Sequence, residues 1–181
     1  MPEWVNQFLR GGIPGLEAIG AYQNRYVFVG KNKGNNFSAL QQWAENFSPV
    51  QDFPRLAAAR IEHRLISAAS LYPDDEYGDY FEFLIKSASD AEYAGALKEE
   101  SFWIKQRVEH KTETADSEET DQSGPPLVEE VYEFFVLISI DKTILQTRIR
   151  EFMAGIKPAV PPSRAQKAAI NRVQQIFFEG F

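Results

Sequence analysis

The sequence of 181 residues contains no cysteine and only two histidines. The lack of cysteine excludes disulfide bonds, thiolate metal sites and cysteine nucleophiles within these residues. Long apolar runs are missing as well, since none approaches the roughly 20 residues that a membrane-spanning helix needs. The first residues show neither the basic start nor the apolar stretch of an export signal. We therefore predict no transmembrane segment in this sequence.

Basic residues are also fewer than acidic residues, 19 against 26. The formal net charge is −7, whereas binding of nucleic acid requires a concentrated basic surface, so we predict no nucleic-acid partner. The excess acid lies in one segment: residues 109–130 contain eight acids and one base, which leaves eighteen of each sign elsewhere. A segment so acidic and so poor in apolar residues cannot bury enough surface to offset its ordering entropy. We predict a mobile acidic loop over 109–130.

The remaining composition is that of an ordinary globular protein. Hydrophobic residues make up 44%, charged residues 25% and aromatic residues 13% of the chain, which is enough large apolar side chain for a dense core. We predict one α+β domain over residues 1–157. A proline-linked amphipathic helix over 158–181 is expected to pack on the same domain.

Three segments are rich in the β-branched and aromatic residues typical of strands. They are Tyr26–Val29, Leu97–Val108 and Val131–Ile140. The third is apolar enough to lie in the centre of a sheet. Because the acidic segment joins the second strand to the third, we predict that these two form an antiparallel hairpin.

Apolar residues recur at helical spacing in most of the other segments. Ser38 with Gln41, and Ser163 with Gln166, have the spacing of a capping box and predict helix starts. Glycines and a proline at 11–15 predict a loop after a short opening helix, and Pro49 and Pro54 predict a helix break. Further helices are predicted from 56 to about 73, over 77–93 and over 141–155, and a strand over Tyr80–Ile85 is the alternative within the second of them. The predicted fold is a small antiparallel β-sheet with amphipathic helices packed on one face.

We find no residue pattern typical of catalysis or of metal binding. His63 lies in a predicted helix and His110 ends a predicted strand, and neither belongs to a metal motif or has a recognisable nucleophile nearby. The acidic run 74–79 lacks the ligand spacing of a calcium loop. The prediction is therefore a protein that is not an enzyme and has no catalytic residue, metal site or cofactor.

The segment Gly30–Gly34 is a candidate anion-binding loop. It is predicted to lead from a strand to a helix, whose free N–H groups favour anions, and it carries Lys31 and Lys33. It lacks the pattern of a phosphate-binding P-loop. A solvated turn is the alternative interpretation.

The last helix is a candidate contact surface for a membrane or a protein partner. Its apolar residues include Ile170, Val173, Phe177, Phe178 and Phe181. Such a helix can lie in a membrane interface or dock in a groove of a partner. Packing of the same stripe on its own domain is the alternative.

Aromatic residues also suggest a cavity for a small apolar ligand or lipid between the sheet and the helices. The candidate lining residues are Trp43, Phe47, Trp103 and Phe134. A filled core made of the same rings is the alternative.

Several short motifs occur in an order that resembles a known group. They are PEWV near the start, YVFVG before a helix, LAAARIEHRLIS within a helix, and a tryptophan-containing strand followed by VYEFFVLISIDK. Together, over Pro2–Met153, they resemble the Lpp-twenty-type bacterial outer-membrane lipoproteins, which include spirochaetal and flagellar-assembly relatives. The acidic segment and the proline-linked last helix depart from that pattern.

The resemblance implies a periplasmic protein. It implies anchoring to the outer membrane through a lipidated cysteine that lies outside the printed residues. It also implies a non-catalytic role through protein–protein or membrane-interface contacts, with an apolar-ligand or lipid binder as the alternative.

Overall fold

The computed structural model describes residues 1–69, 78–110, 127–156 and 163–179. Three strands form one antiparallel sheet: β1 Arg25–Gly34, β2 Leu97–His110 and β3 Leu127–Asp141. Their order across the sheet is β1-β3-β2, so β3 is central. The predicted α+β class with a small antiparallel sheet is confirmed, as is the antiparallel pairing of the second and third strands.

The central position of β3 follows from its composition. Every residue from Phe134 to Ile140 is buried, including Ser139. A strand that is flanked on both edges and covered on both faces needs such a continuous apolar run, because neither face meets water. β1 pairs with it from Arg25↔Asp141 to Gly34↔Tyr132, and β2 pairs with it as far as His110↔Leu127.

Five helices contribute to the main core on one face of the sheet. The even-numbered residues of β3 from Phe134 to Ile140 point into this core together with Tyr26 and Phe28. The helices bury their apolar stripes against them, as helical periodicity requires. These helices are α2 Phe37–Asn46, α3 Pro49–Ala69, α4 Gly78–Ser89, α5 Lys142–Gly155 and α6 Arg164–Glu179.

The opposite face of the sheet carries a sixth helix, α1 Glu3–Glu17. Trp4, Val5 and Leu16 pack there against Val27, Phe135 and Leu137 in a second, smaller core. In this respect the structure differs from the expectation that all helices lie on one face. The alternation of β3 explains the second core, since its odd-numbered apolar residues also need cover.

The glycine-rich part of α1 is a kinked helix and not the predicted loop. Gly12 breaks the helix with a φ of 61°, a left-handed conformation that glycine adopts without steric cost. Helix resumes after the kink, and a Cβ at Gly15 would lie 2.7 Å from the carbonyl oxygen of Gln7. The glycines therefore let the second half of the helix approach the first. A short 3₁₀ turn, Gly20–Tyr22, then leads to β1.

The predicted helix break at Pro49 is confirmed, since α2 ends at Asn46, whereas the predicted helix starts at 38 and 56 and the break at Pro54 need correction. The side chain of Asn36 caps α2 by accepting a hydrogen bond from the Ala39 N–H at 3.0 Å, so the helix begins before Ser38. α3 begins at Pro49 and continues through Pro54. Proline suits the first helical turn, where the missing N–H would have no partner, and Pro54 removes one bond close to that end.

Both ends of the predicted acidic loop belong to strands. Glu109 and His110 belong to β2, and residues 127–130 belong to β3, because backbone pairing extends to His110↔Leu127. Residues 111–126 lie outside the described part of the chain, as do most of the acidic run 74–79 and the predicted linker 157–162.

The last helix, α6, packs on the domain. Val173 and Phe177 are buried in the main core. Arg64 of α3 donates hydrogen bonds to the carbonyl oxygens of Ile176 at 3.2 Å and Phe177 at 3.4 Å. These contacts bring side-chain donors of α3 to two carbonyls in the last turn of α6. Within the described residues no helix has the length and apolar character to cross a membrane.

Candidate functional site

The two edge strands of the sheet, β1 and β2, differ in the contacts that their outer sides make. The outer edge of β1 is covered by Arg60 of α3, which donates a hydrogen bond to the Val27 carbonyl oxygen at 3.3 Å. The same guanidinium forms an ion pair with Glu17 of α1 at 2.9 Å and lies over the Tyr26 ring, 4.7 Å from its centroid. At Val27 this strand edge is therefore covered by α3, through a residue that also ties α3 to α1.

The outer edge of β2 is open. In the described ranges β3 is the only element that runs alongside β2. α1 and α2 touch β2 through individual side chains, such as the Trp4 indole that donates to Glu100 at 2.7 Å and the Lys98 ammonium that donates to the Ala44 carbonyl at 2.6 Å. An open edge presents unpaired backbone N–H and C=O groups to its surroundings. We call this surface, over residues 101–110, the β2 edge.

The far end of the sheet narrows to two strands. β1 ends at Gly34, opposite Tyr132, while the pairing of β2 with β3 continues to His110↔Leu127. We call this two-stranded part, Gln106–His110 with Leu127–Val131, the ribbon. Two-stranded ribbons bury little surface by themselves. The ribbon therefore extends the β2 edge away from the body of the domain.

An aromatic cluster lies at the base of the ribbon, on the main-core side. The Trp103 ring stacks on Phe134 with centroids 6.1 Å apart, and Phe37 of α2 meets Trp103 edge-on at 4.9 Å and Tyr132 at 5.2 Å. Trp103 is nevertheless 43% exposed. Edge-to-face contacts fix ring orientation, so Trp103 is a rigid, half-exposed aromatic surface on an open strand.

Two basic residues follow Trp103 on the same face of β2. Lys105 pairs with Glu130 at 2.6 Å, and Arg107 lies farther from the same carboxylate at 4.0 Å. The hydrogen bond from Lys105 lowers the pKa of Glu130 and raises the pKa of Lys105. The Arg107 side chain is 74% exposed. Glu130 thus pairs with both Lys105 and Arg107.

The acids at the start of β2 are held by other residues. A β-bulge between Lys98 and Glu100 disturbs the register of β2. Ser139, which is buried, donates a hydrogen bond to Glu99 and accepts one from Arg25 at 2.7 Å. Glu100 accepts the Trp4 indole N–H, as given above.

These acids also affect a nearby phenol. Burial first, and then the charges of Glu99 and Glu100, raise the pKa of Tyr22. Arg25 lies 3.9 Å from Glu99 and compensates part of that charge. The two acids of β2 are therefore used in contacts with α1, β1 and β3. The part of β2 from Ser101 to Val108 contains two bases and no acid.

The candidate anion loop is not a loop. Lys31 and Lys33 lie on β1, opposite Phe135 and Glu133 of β3. The Lys31 ammonium lies over the Phe8 ring of α1, 5.8 Å from its centroid, and Lys33 donates to Gln106 at 3.5 Å. Pairing with β3 outweighs the turn-like composition of this segment. The two lysines therefore do not form the loop that would lead an anion to the helix start.

The candidate contact residues of α6 are mostly turned inward. Val173 and Phe177 are buried, and Ile170 and Phe178 are partly buried. Arg150 of α5 lies over the Phe178 ring, 4.6 Å from its centroid. Phe181 lies outside the described residues. The apolar stripe is therefore used in packing on the protein itself.

The four aromatic residues proposed for a ligand cavity occur in two pairs. Trp43 meets Phe47 edge-on at 5.5 Å, and Trp103 stacks on Phe134. Phe47 is 8% exposed and its ring fills the space beside Gly30, where a Cβ would lie 2.8 Å from it. Phe134 is buried in the main core. Three of these rings thus pack as core or near-core residues, and Trp103 alone is largely exposed.

The two histidines are far apart in the fold. His63 is exposed on α3, and His110 pairs with Leu127 at the end of the ribbon. Among the described residues, no three histidine or carboxylate side chains are grouped as metal ligands would be.

Comparison with known protein families, with characterised proteins and with solved structures finds no match to this chain.

Proposed function

We propose that this chain is the periplasmic domain of a bacterial outer-membrane lipoprotein, that it acts by binding proteins, and that the β2 edge is its binding surface. The open β2 edge beside a covered β1 edge is the observation that supports the binding part. The periplasmic location and the lipid anchor rest on the resemblance of the sequence motifs alone.

The contrast between the two edge strands supports binding, because a strand without a partner on its outer side tends to pair with another chain. Proteins usually cover, charge or shorten such edges, since an unpaired strand invites association. Here Arg60 covers β1, whereas β2 presents a long strand and the half-exposed Trp103. Tryptophan, tyrosine and arginine are the residues most enriched where binding energy is concentrated. Trp103, Tyr132 and Arg107 lie together on this surface.

Membrane-interface contact is the alternative mode of action, and lipid flotation separates the two. The described stripe of α6 is packed inward, so we expect this domain not to float with vesicles of phosphatidylethanolamine and phosphatidylglycerol. If the domain floats, Phe178→Glu tests whether α6 is responsible. The Phe178 side chain is partly exposed, whereas glutamate in place of the buried Phe177 would compromise folding. Flotation that Phe178→Glu abolishes would assign the contact to the membrane.

Photo-crosslinking in the source bacterium tests the protein-binding proposal. A photoreactive amino acid replaces Arg107 on the β2 edge, and in a matched control it replaces Arg55, an exposed arginine on α3. We expect discrete protein adducts from position 107 and few from position 55. Equal labelling at both positions would contradict a role for the β2 edge. Incorporation of labelled palmitate into the full-length gene product, followed by membrane fractionation, tests the proposed anchor separately.

A further inference from the structure

We propose that a second copy of this chain occupies the β2 edge, so that two β2 strands pair antiparallel about a two-fold axis at Trp103. The two three-stranded sheets then form one continuous sheet in the order β1-β3-β2-β2-β3-β1. This inference rests on the proposed function, because it names the protein that binds at the β2 edge.

Hydrogen bonds of β1 show which backbone groups of the sheet point outward. The Val27 carbonyl accepts from Arg60 on the outer side of β1, and the Asn24 carbonyl accepts from the Lys142 N–H at 3.1 Å on the β3 side. Bonded and non-bonded pairs alternate along an antiparallel ladder. Even-numbered residues of β1 and β3 are therefore bonded to each other, and the odd-numbered residues of β3 bond to β2.

The residues of β2 that bond to β3 are consequently even-numbered, such as Phe102 opposite Phe135 and Ile104 opposite Glu133. From Ser101 onward, the odd-numbered residues of β2 direct their N–H and C=O groups away from the sheet. A second β2 strand bonds to these groups only where its own odd-numbered residues stand opposite them. This condition leaves few antiparallel alignments of the two strands.

The allowed alignment centred on Trp103 matches residues of the same character. Trp103 faces Trp103 of the second copy, and on the other side of the sheet Phe102 faces Ile104. Ser101 faces Lys105, so polar pairs flank the apolar centre. Phe102 and Ile104 are partly buried, and Trp103 is 43% exposed. Aromatic and β-branched residues paired across strands stabilise a sheet, and the pairing removes their apolar surface from water.

Other allowed alignments match less well. Centring on Lys105 or Arg107 sets each base opposite itself, and centring on Gln106 sets Lys105 opposite Arg107. Like charges directly opposite each other destabilise a sheet. Centring on Ile104 sets Trp103 opposite Lys105 and gives up the pairing of the two indole rings. A shift in the other direction runs into the bulge at the start of the strand. The side chains thus favour the alignment centred on Trp103.

The expected assembly is a closed dimer. A two-fold pairing uses the same surface on both copies, and Arg60 contacts the outer side of β1 at Val27. Residues 101, 103 and 105 of the two copies form three bonded pairs, which supply about six backbone hydrogen bonds. A contact of this size belongs to the small, weak class of interfaces. We therefore expect dimers that dissociate on dilution.

Sedimentation velocity at protein concentrations from about 1 μM to about 1 mM tests the inference. We expect the sedimentation coefficient to rise from that of a monomer to that of a dimer. Ser101→Pro removes an outward N–H and no bond to β3, a position where edge strands tolerate proline, and should weaken dimerisation at least about tenfold. Ser101→Ala is the matched control, because it loses the same exposed hydroxyl, keeps the N–H and should dimerise normally.

Charge at position 101 gives a second arm that needs no proline. Ser101→Glu places an acid opposite Lys105 of the second copy and should strengthen dimerisation about three- to tenfold, whereas Ser101→Lys should weaken it by a similar factor. The Ser101 side chain is exposed, so both variants should keep the fold. Adding Lys105→Gln should cancel the gain from Ser101→Glu. In the alignment centred on Ile104, Arg107→Gln would cancel it instead.

Disulfide formation reads the alignment directly, because the chain has no cysteine of its own. Ser101→Cys and Lys105→Cys proteins, distinguished by a tag on one of them, are mixed and oxidised. Bonded residues opposite each other have Cα atoms about 5.5 Å apart, which suits a disulfide. The two 101 positions are displaced by four residues, about 14 Å. We expect mixed disulfides between the variants, few within either, and none with Arg55→Cys on α3 as the control.

Each other outcome has a defined consequence. A protein that stays monomeric at about 1 mM, disulfides within one variant in place of mixed ones, or equal dimerisation of Ser101→Glu and Ser101→Lys would overturn the inference. A monomer in solution, together with adducts of position 107 with a different protein in the cell, would reject the second copy but keep the proposed function. The predicted dimer in solution, with no adducts from position 107 in the cell, would keep the inference and reject the proposed function.

Discussion

The substitution Gly30→Ala tests whether Gly30 lies in a strand that packs against Phe47 or in the solvated loop that the local composition suggests. A Cβ added at Gly30 would lie 2.8 Å and 3.1 Å from two carbons of the Phe47 ring. The ring cannot easily withdraw, because Phe47 is 8% exposed and meets Trp43 edge-on. Overpacking of this kind costs about 1–3 kcal/mol. We expect a loss of that size in the free energy of unfolding.

Urea denaturation followed by tryptophan fluorescence measures this loss. Gly11→Ala is the matched control, because no atom lies within 4 Å of the added Cβ and Gly11 is helical. Alanine should be neutral there or stabilise the helix by about 0.5–1 kcal/mol. The double variant Gly30→Ala with Phe47→Leu should recover part of the loss, because a smaller side chain frees the space. A fully stable Gly30→Ala protein would refute the packing of Gly30 on Phe47.

Three further predictions follow from the described contacts. Arg60→Ala should lower the free energy of unfolding by about 1–2 kcal/mol, since it leaves the Val27 carbonyl and Glu17 without this partner, whereas Arg55→Ala should leave it unchanged in the same urea titration. Burial raises the pKa of Tyr93, so the folded state keeps this proton to higher pH than the unfolded chain. The stability that this group contributes is complete below about pH 10 and falls above it. Tyr93→Phe should therefore reduce the loss of stability at alkaline pH, measured by urea denaturation from about pH 8 to 11. Phe177→Ala should cost about 3–5 kcal/mol by calorimetry or urea titration, because its ring is fully buried; a cost below about 1 kcal/mol would contradict the packing of α6 on the core.

Two side chains of the β2 edge have properties that suit a binding surface. They differ in rigidity: Trp103 is held by neighbouring rings, whereas Arg107 projects into solvent. A rigid aromatic ring on a binding surface needs little ordering when a partner binds. Removal of Arg107 is therefore expected to change partner preference more than domain stability.

Local signals predicted some elements well. The apolar run from Val131 to Ile140 predicted the central strand, and Asp141 caps the following helix by accepting the Thr143 N–H at 2.8 Å. The segment Leu97–Val108 was likewise predicted to be a strand, and in β2 Phe102 packs on the α1 side and Trp103 on the other. These predictions succeeded because burial pattern and capping depend on residues close together in sequence.

Other features depend on distant residues and were not predictable. The segment Gly30–Gly34 has a turn-like composition, but hydrogen bonding to β3 extends it as a strand. α3 continues through Pro54, near its first turns, where one lost hydrogen bond is tolerated. Trp103 was proposed to line a cavity, whereas the fold leaves it at an open edge. No local pattern states which of the two edge strands will be contacted by a helix along its outer side.

The sequence by itself determined the class of the fold, the central strand and most helix positions, because hydrophobic period and capping are properties of short segments. Tertiary structure alone decided that Arg60 contacts the outer edge of β1 at Val27, that β3 is the only strand beside β2 among the described residues, and that the apolar stripe of α6 turns inward. An edge exists only once strands are ordered in space. The candidate binding surface is one contiguous strand, but its position at an edge is a property of the assembled sheet, because it depends on pairing between segments that are far apart along the chain.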